Sequence, residues 1–429
     1  MYDYSQFPDN KVMAIDVKSF FASVACLTQL GTPHDPLTTK LAVVSDLSRE
    51  WSVVLAASPA LKKEFPRIKT GSRHGEIPKR KDIHIVESAM STYIKYSNMV
   101  TNVLLDYVAP QDLYAYSVDE NFIQLKSYSN YFKMDLTTLA ERIQADIRTR
   151  TGIPVTIGIG PNPLIAKLCL DLKAKHSPTG IEQWRYEDIP TKLWPLRTLS
   201  DMWGIAKKTE AKLHQLGIYS VGALAKYPKK YLIQHFGKVK GEELHLHAWG
   251  IDFSRLDERY VPHSTSISES QILMRDYTKI EEIQTILLEQ CENLAFRALR
   301  TKKFARTIHL TIQYSHSGYG NGFSRQMQLD TETNFTKEIY DACVELFHRH
   351  YTGEPVRVIG VSLKNLVSDD ERQLDLFEDE AEREKRYRLA TVIDQIRQKH
   401  GKNSLLRGSS YFQHATARER NGKLGGHKA

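Results

Sequence analysis

The chain has 429 residues, of which 41% are hydrophobic and 26% charged, so it is expected to form roughly two to four domains of an ordinary soluble protein. No run of about 18 apolar residues offers a membrane span. The four isolated cysteines, Cys26, Cys169, Cys291 and Cys343, speak against both a disulfide framework and a zinc site. The start, Met1-Tyr2-Asp3-Tyr4-Ser5, lacks a secretory signal, which leads to the expectation of a cytoplasmic protein with reduced thiols, and the net charge of +8 suits a polyanionic partner such as nucleic acid.

Residues 11–16 form an apolar strand ending in Asp16, followed by Val17-Lys18-Ser19-Phe20-Phe21-Ala22-Ser23. Short buried strands are predicted at 41–45, 53–58 and 83–87, with a helix over 59–65 leading into a basic loop at 67–75. Strand-like runs at 113–116 and 121–125 then flank Ser117-Val118-Asp119-Glu120. Adjacent carboxylates on a tight turn repel each other, and a stretch selected only for stability would rarely keep them beside apolar strands unless a cation offset the repulsion. Together with Asp16 they make three strand-end carboxylates, a set able to hold hard divalent ions that bind a triphosphate. A helix over 136–149, a strand over 153–160 and a helix over 163–175 complete a mixed α/β first domain.

Residues 181–250 read as a small helical module. Within it, 199–202, the turn Trp203-Gly204-Ile205-Ala206 and 207–216 resemble a helix-hairpin-helix, whose turn amides and helix N-terminus grip a backbone phosphate; the plainer reading is an αα-corner. From 264 the order is strand (264–272), helix (280–299), strands (305–314 and 322–329), helix (335–350) and strand (357–366), a split βαβ module with one sheet face uncovered. Ile280, Ile283, Leu287, Cys291, Leu294 and Ala298 share the apolar face of its first helix. Lys302, Lys303, Arg306 and Arg325 at its strand ends face phosphates or form a solvated rim. Beyond 367 the chain is polar and acidic, then helical and basic to about 399, with a flexible end.

Taken together, the strand ending in Asp16 with Val17 to Ser23 and the hairpin Tyr116 to Glu120 resemble the two signatures of the Y-family DNA polymerases, the ImpB/MucB/SamB family, which copy damaged DNA. The likeness spans 11 to about 366. Leu55-Ala56-Ala57-Ser58-Pro59-Ala60-Leu61-Lys62-Lys63 and the closing Gly-Gly-His-Lys-Ala resemble its UmuC-like branch of Gram-positive bacteria and their mobile elements. The resemblance implies a right-hand polymerase: an α/β palm (1–19 and 81–178), small fingers (20–80), a helix-hairpin-helix thumb (179–250), a split βαβ little finger (251–367) and a flexible C-terminal tail (368–429).

By the same resemblance, Asp16 and Asp119 bridge two Mg²⁺ ions, for which Mn²⁺ substitutes, Glu120 binds the ion at the primer terminus, and the Val17 carbonyl completes the nucleotide-side ion. Phe21 lies where the family keeps the steric gate beneath the incoming sugar, while one of Phe20 and Phe21 is a core aromatic. Lys63, with Lys62 as substitute, matches the fingers cation that reaches the triphosphate, and one of Lys167, Lys173 and Lys175 contacts phosphate. Gly204, Ala206, Lys207 and Lys208 would hold DNA. Gln373-Leu374-Asp375-Leu376-Phe377 resembles the pentapeptide that docks on the sliding β clamp, an apolar anchor in a polar segment. The sequence departs from the family pattern at Lys18, Ala25 and Ala206, which stand where an acid, a glutamate and a glycine are common.

The implied activity is template-directed addition of dNTPs to a primer 3′-OH on primer–template DNA, with no membrane role. A UmuD-like subunit and a RecA filament are the further partners that some UmuC-like proteins need. Two other readings compete: a non-catalytic DNA- and clamp-binding regulator, against which the intact carboxylates argue, and a two-metal nuclease, against which Phe21 and the lysines argue.

Overall fold

The computed structural model describes residues 2–258, 265–315, 321–369 and 380–429. It divides into two compact units, Met1–Arg259 with His427–Ala429, and Tyr260–Gly426.

In the first unit the chain order is β1 (Val12–Val17), α1 (Phe20–Thr28), β2 (Leu41–Val44), β3 (Val54–Ala57), α2 (Pro59–Glu64), β4 (His84–Glu87), α3 (Met90–Leu104), β5 (Leu113–Ala115), β6 (Glu120–Gln124), α4 (Ser129–Phe132), α5 (Leu136–Thr151), β7 (Val155–Gly160), α6 (Pro163–Leu172) and β8 (Ile181–Gln183). The main sheet runs β5-β6-β1-β7-β8, and β2, β3 and β4 form a separate three-stranded sheet. Local chemistry explains several starts and stops. Ser58 caps α2, accepting from Leu61 N at 3.3 Å, with Pro59 as the first helical residue. Asp135 caps α5 through the Thr137 and Thr138 amides, and Gly152, at φ 74°, ends it. Strands β1 and β7 are buried on both faces, between the cluster of Met13, Ile15, Ile157 and Ile159 and that of Val12, Ala14, Ala166 and Leu170.

Helix α3 has no counterpart among the sequence expectations. Its buried Tyr93, Val100, Val103 and Leu104 do recur at helical spacing, but polar neighbours dilute the signal. The helical module contains α7 (Lys207–Gln215), α8 (Val221–Lys226), α9 (Lys229–Phe236) and α10 (Lys238–Ala248), packed around Leu199, Met202, Leu213, Val221, Leu232 and Leu244.

The second unit is β9 (Ile267–Tyr277), α11 (Ile280–Arg300), β10 (Lys303–Tyr314), β11 (Phe323–Thr333), α12 (Thr336–His350), β12 (Val356–Ser368) and α13 (Glu380–His400). Its antiparallel sheet runs β11-β10-β12-β9, which is the expected split βαβ order. Helix α11 buries Ile283, Leu287, Cys291, Leu294 and Ala298 as its pattern predicts, whereas Ile280, in its first turn, is 38% exposed.

The helix expected to about 399 is present as α13, and the residues beyond it, where a flexible end was expected, are tied into the structure by side-chain pairs. The Arg300 guanidinium holds the Asp394 carboxylate with Nε at 3.0 and 2.9 Å and Nη2 at 2.6 Å. Arg397 and Arg407 both reach Glu292, and Thr416 donates to Glu289 at 2.9 Å. At the end of the chain, Lys428 pairs with Glu87 at 2.6 Å. Composition cannot distinguish charges that face water from charges that pair across to another helix, and here they pair. Asp394 is 5% exposed, so Asp394→Ala leaves Arg300 without its partner and is expected to cost about 2–3 kcal/mol. Chemical unfolding measures that loss, and hydrogen exchange should quicken in α13 first; an unchanged exchange pattern would contradict the pairing. Among the described residues no helix is long and apolar enough to cross a membrane.

Candidate active site

β1 lies between β6 and β7, and its register sets Asp16 opposite Glu120 on one side and Thr156 on the other. The hairpin before β6 closes tightly, with the Tyr116 and Ser117 amides donating to the Glu120 carbonyl at 3.0 and 3.1 Å. The Val17 amide donates to the Asp119 carbonyl at 3.0 Å, which ties the hairpin to the end of β1. Asp16, distant in sequence from the adjacent pair Asp119 and Glu120, is therefore brought to the same end of the sheet. Like charges directly opposite on neighbouring strands destabilise a sheet. Burial pushes the Asp16 carboxyl up to about 6, Lys175 opposes the shift, and Asp119 and Glu120 add to it. Burial likewise raises Glu120, with Lys167 opposing.

Two lysines answer this repulsion. Lys167 Nζ lies 2.6 Å from Glu120 and 3.1 Å from Asp171, and Lys175 Nζ lies 2.9 Å from Asp171 and 3.2 Å from Asp16. The order Glu120, Lys167, Asp171, Lys175, Asp16 is a line of alternating charge. It exists because α6 sits against β7 closer than side chains allow: a Cβ on Gly158 would lie 2.3 Å from the Ala166 carbonyl oxygen, and one on Gly160 2.5 Å from the Ala166 amide. The helix expected to run to 175 stops at Leu172, and a 3-10 turn over Ala174–His176 carries Lys175 to Asp16. Lys173 is exposed at the helix end and does not join the line.

Lys62 and Lys63 share the last turn of α2, about 100° apart around the helix axis, so they face different directions. Lys62 is exposed by surface area, yet its pKa is lowered by desolvation, and it interacts with both Asp16 and Lys175. Lys63 is exposed on the neighbouring bearing. Of the two aromatics after Ser19, Phe20 is buried at 3% exposure, whereas Phe21 is half-buried and stacked on Tyr93. Ser19, at φ 50°, turns the chain from β1 into α1 and so directs both rings.

Gly204, Ala206, Lys207 and Lys208 are exposed together at the N-terminus of α7. Gly204 takes φ 89°, a conformation that favours glycine. Ala206 is extended, at φ −97° and ψ 168°, so its methyl group fits where the family pattern has glycine. The hairpin residue Trp203 stacks on Phe122 with ring centres 6.1 Å apart, and its Nε1 donates to the Tyr116 hydroxyl at 3.4 Å. The helix-hairpin-helix turn therefore packs on the strand pair that carries Asp119 and Glu120. Asp171 and Tyr93 are absent from the sequence expectations, where Trp203 figures only as a residue of the hairpin turn. The spacing of Lys167, Asp171 and Lys175 at i, i+4 and i+8 was the available signal for the first.

Among the described residues, no three His, Cys, Asp or Glu side chains are gathered into a preformed metal cage. The residues nonetheless fit hard divalent ions. Their donors are all carboxylate oxygens, Glu120 Oε1 is buried with no hydrogen-bond partner, and Asp16, Asp119, Glu120 and Asp171 outnumber the two lysines bound to them. Gln373, Leu374, Asp375, Leu376 and Phe377 lie outside the described residues.

Comparison with known proteins agrees across the chain. Residues 15–171 match the impB/mucB/samB family, 186–218 the helix-hairpin-helix motif of the same family, and 264–376 its C-terminal domain. The chain is 44% identical, over the full length of both, to a Bacillus subtilis (strain 168) protein named UvrX for UV-damage repair. It is 32% identical to DNA polymerase IV 2 of the same organism, over 97% of this chain and 98% of the relative, and 33% identical to DNA polymerase IV of Pelotomaculum thermopropionicum, over 96% and 98%. A Y-family DNA polymerase chimera shares the fold, with a TM-score of 0.66 at 20% identity, over 84% of this chain and 100% of that one. With carboxylates and lysines converging at one sheet end, and relatives matched along their whole length, the chain belongs to the impB/mucB/samB family of Y-family DNA polymerases.

Proposed function

We propose that the protein is a Mg²⁺-dependent, template-directed DNA polymerase that adds dNTPs to a primer 3′-OH while copying damaged DNA. The observation that carries this reading is the register of Asp16 against Glu120, with Asp119 tied to the same strand end. In this reading Asp16 and Asp119 would hold both ions, with Glu120 on the primer side and the Val17 carbonyl on the nucleotide side. When bound, such ions lower the pKa of the 3′-OH and neutralise the triphosphate and the leaving pyrophosphate.

The protein's own part is to position charge and exclude the wrong sugar. Lys167 and Lys175 hold Glu120 and Asp16 in place. Lys175 and Lys62 present positive charge to the phosphates, with Lys63 and Lys173 further out. Phe21 forms the floor beneath the sugar. Lys207 and Lys208 sit in the first turn of α7, where positive charge opposes the helix dipole unless an anion such as a DNA phosphate offsets it. The main sheet with its helices serves as palm, β2 and β3 belong to the fingers together with β4, which pairs with β2 although it lies past the expected boundary at 80, α7–α10 form the thumb, and the second unit provides the little finger. Residues 373–377 dock on the sliding clamp, a UmuD-like subunit and a RecA filament are candidate further partners, and the site of action is the cytoplasm.

Primer extension with purified protein, primer–template DNA, the four dNTPs and Mg²⁺ tests this. The expected result is stepwise, templated lengthening, which the sliding clamp stimulates and deletion of 373–377 makes clamp-independent. Shortening of the primer would instead support a nuclease, and tight DNA binding without synthesis a regulator.

A further inference from the structure

A steric gate is a wall, and a wall discriminates between two sugars differing by one oxygen only if it does not yield. Phe21 is the second residue of α1 and is half-buried, so neither its backbone nor complete burial fixes the ring plane. Its rotation about two torsions is checked by what lies behind it. Behind it is Tyr93 of α3, with ring centres 4.3 Å apart and planes 13° from parallel, the closest-spaced ring pair among the described residues.

Tyr93 is itself anchored. It is 1% exposed and among the largest fully buried side chains, and the Phe20 ring lies against it with ring centres 6.2 Å apart. Its hydroxyl sits near the Gln29 side-chain amide and the Ala89 backbone amide without a hydrogen bond of good geometry to either. The flat ring, not the polar tip, is therefore what this position uses. A leucine or methionine here would fill volume but present no face parallel to Phe21, letting that ring tilt away from an intruding 2′-OH.

We infer that Tyr93 is a positioning residue for sugar selection, backing Phe21 so that the ring resists the 2′-OH of a ribonucleotide. This rests on the reading of Phe21 as the ring beneath the incoming sugar. Neither residue is asked to take part in bond making, so the effect falls on the choice between substrates.

The test measures kcat/KM for a dNTP and for the matching rNTP with the same preparation, so that any unfolded fraction cancels in the ratio. Phe21→Ala is expected to raise relative rNTP use by roughly 100-fold, and Tyr93→Leu by roughly 5–10-fold, because the gate is weakened and not removed. Tyr93→Phe keeps the flat face and should hold the wild-type ratio. The Phe21→Ala/Tyr93→Leu double variant should be no more permissive than Phe21→Ala alone, since the buttress has nothing left to support. If Tyr93→Leu gives no soluble protein, Tyr93→Met answers the same question. A wild-type ratio in Tyr93→Leu or Tyr93→Met, beside a raised ratio in Phe21→Ala, overturns the role of Tyr93 and leaves the gate standing. An unchanged ratio in Phe21→Ala overturns the gate, and the buttress with it.

Discussion

Asp119→Ala is expected to abolish templated nucleotide addition, lowering kcat/KM by about a thousandfold or more, equivalent to ~4 kcal/mol of lost transition-state stabilisation. The fold should survive it. Asp119 is half-buried on the hairpin, bonded to the Ser117 hydroxyl at 2.6 Å, and stands outside the lysine line, so its removal leaves no buried cation without a partner. It also relieves one of the charges that push Asp16 upward. Stability should therefore change by less than about 1 kcal/mol, and affinity for duplex DNA should hold, since the α7 N-terminus is untouched. Single-turnover extension, thermal unfolding and a DNA-binding titration together separate lost chemistry from lost structure. Wild-type extension rates in the variant would contradict the assigned role.

Lys167→Met is expected to act in the opposite way, on stability first. Lys167 is 8% exposed and Glu120 6%, and they meet at 2.6 Å. Taking away one partner of a buried pair leaves the other charge desolvated, at a cost of about 3–5 kcal/mol. Glu120 would be stranded opposite Asp16, so the existing repulsion is no longer offset. The Glu120→Gln/Lys167→Met double variant removes both charges and should recover most of the loss, although it cannot recover activity. Urea unfolding of the wild type, the two single variants and the double variant, in metal-free buffer, gives the coupling directly. A loss below about 1 kcal/mol in Lys167→Met would mean that the pair is solvated and that Glu120 has some other support.

The carboxylates were legible because their setting violates a local rule: acids at the ends of apolar strands, two of them adjacent, make no sense as packing. The strand pattern placed Asp16 and Glu120 within a residue of their observed strand ends, but two strands buried on both faces do not reveal the register that sets them opposite each other. The lysines were legible only as a group. Which of Lys167, Lys173 and Lys175 reaches the acids depends on where α6 ends, and that end falls at Leu172 without a glycine or proline to announce it. The choice between Lys62 and Lys63 depends on the rotation of a six-residue helix, which its short apolar pattern does not fix. Gly158 and Gly160 read as ordinary strand residues, although their missing side chains are what let α6 approach. Tyr93 was hidden for a different reason, because its partner Phe21 lies on another helix far away in the chain. The helix expected to about 399 is present as α13, but its pairing was not legible, because Asp394 and Arg397 meet Arg300 and Glu292, partners about a hundred residues away.

Asp16, Asp119 and Glu120 are proposed to hold the ions that drive nucleotide addition. Anomalous scattering from crystals grown with primer–template DNA, a non-hydrolysable dNTP and Mn²⁺ tests it most directly. Mn²⁺ peaks are expected within about 2.0–2.3 Å of carboxylate oxygens of all three residues, with Lys175 withdrawn from Asp16. Peaks bound elsewhere, or Asp16 still paired with Lys175 and free of metal in a complex with DNA and nucleotide in place, would contradict it.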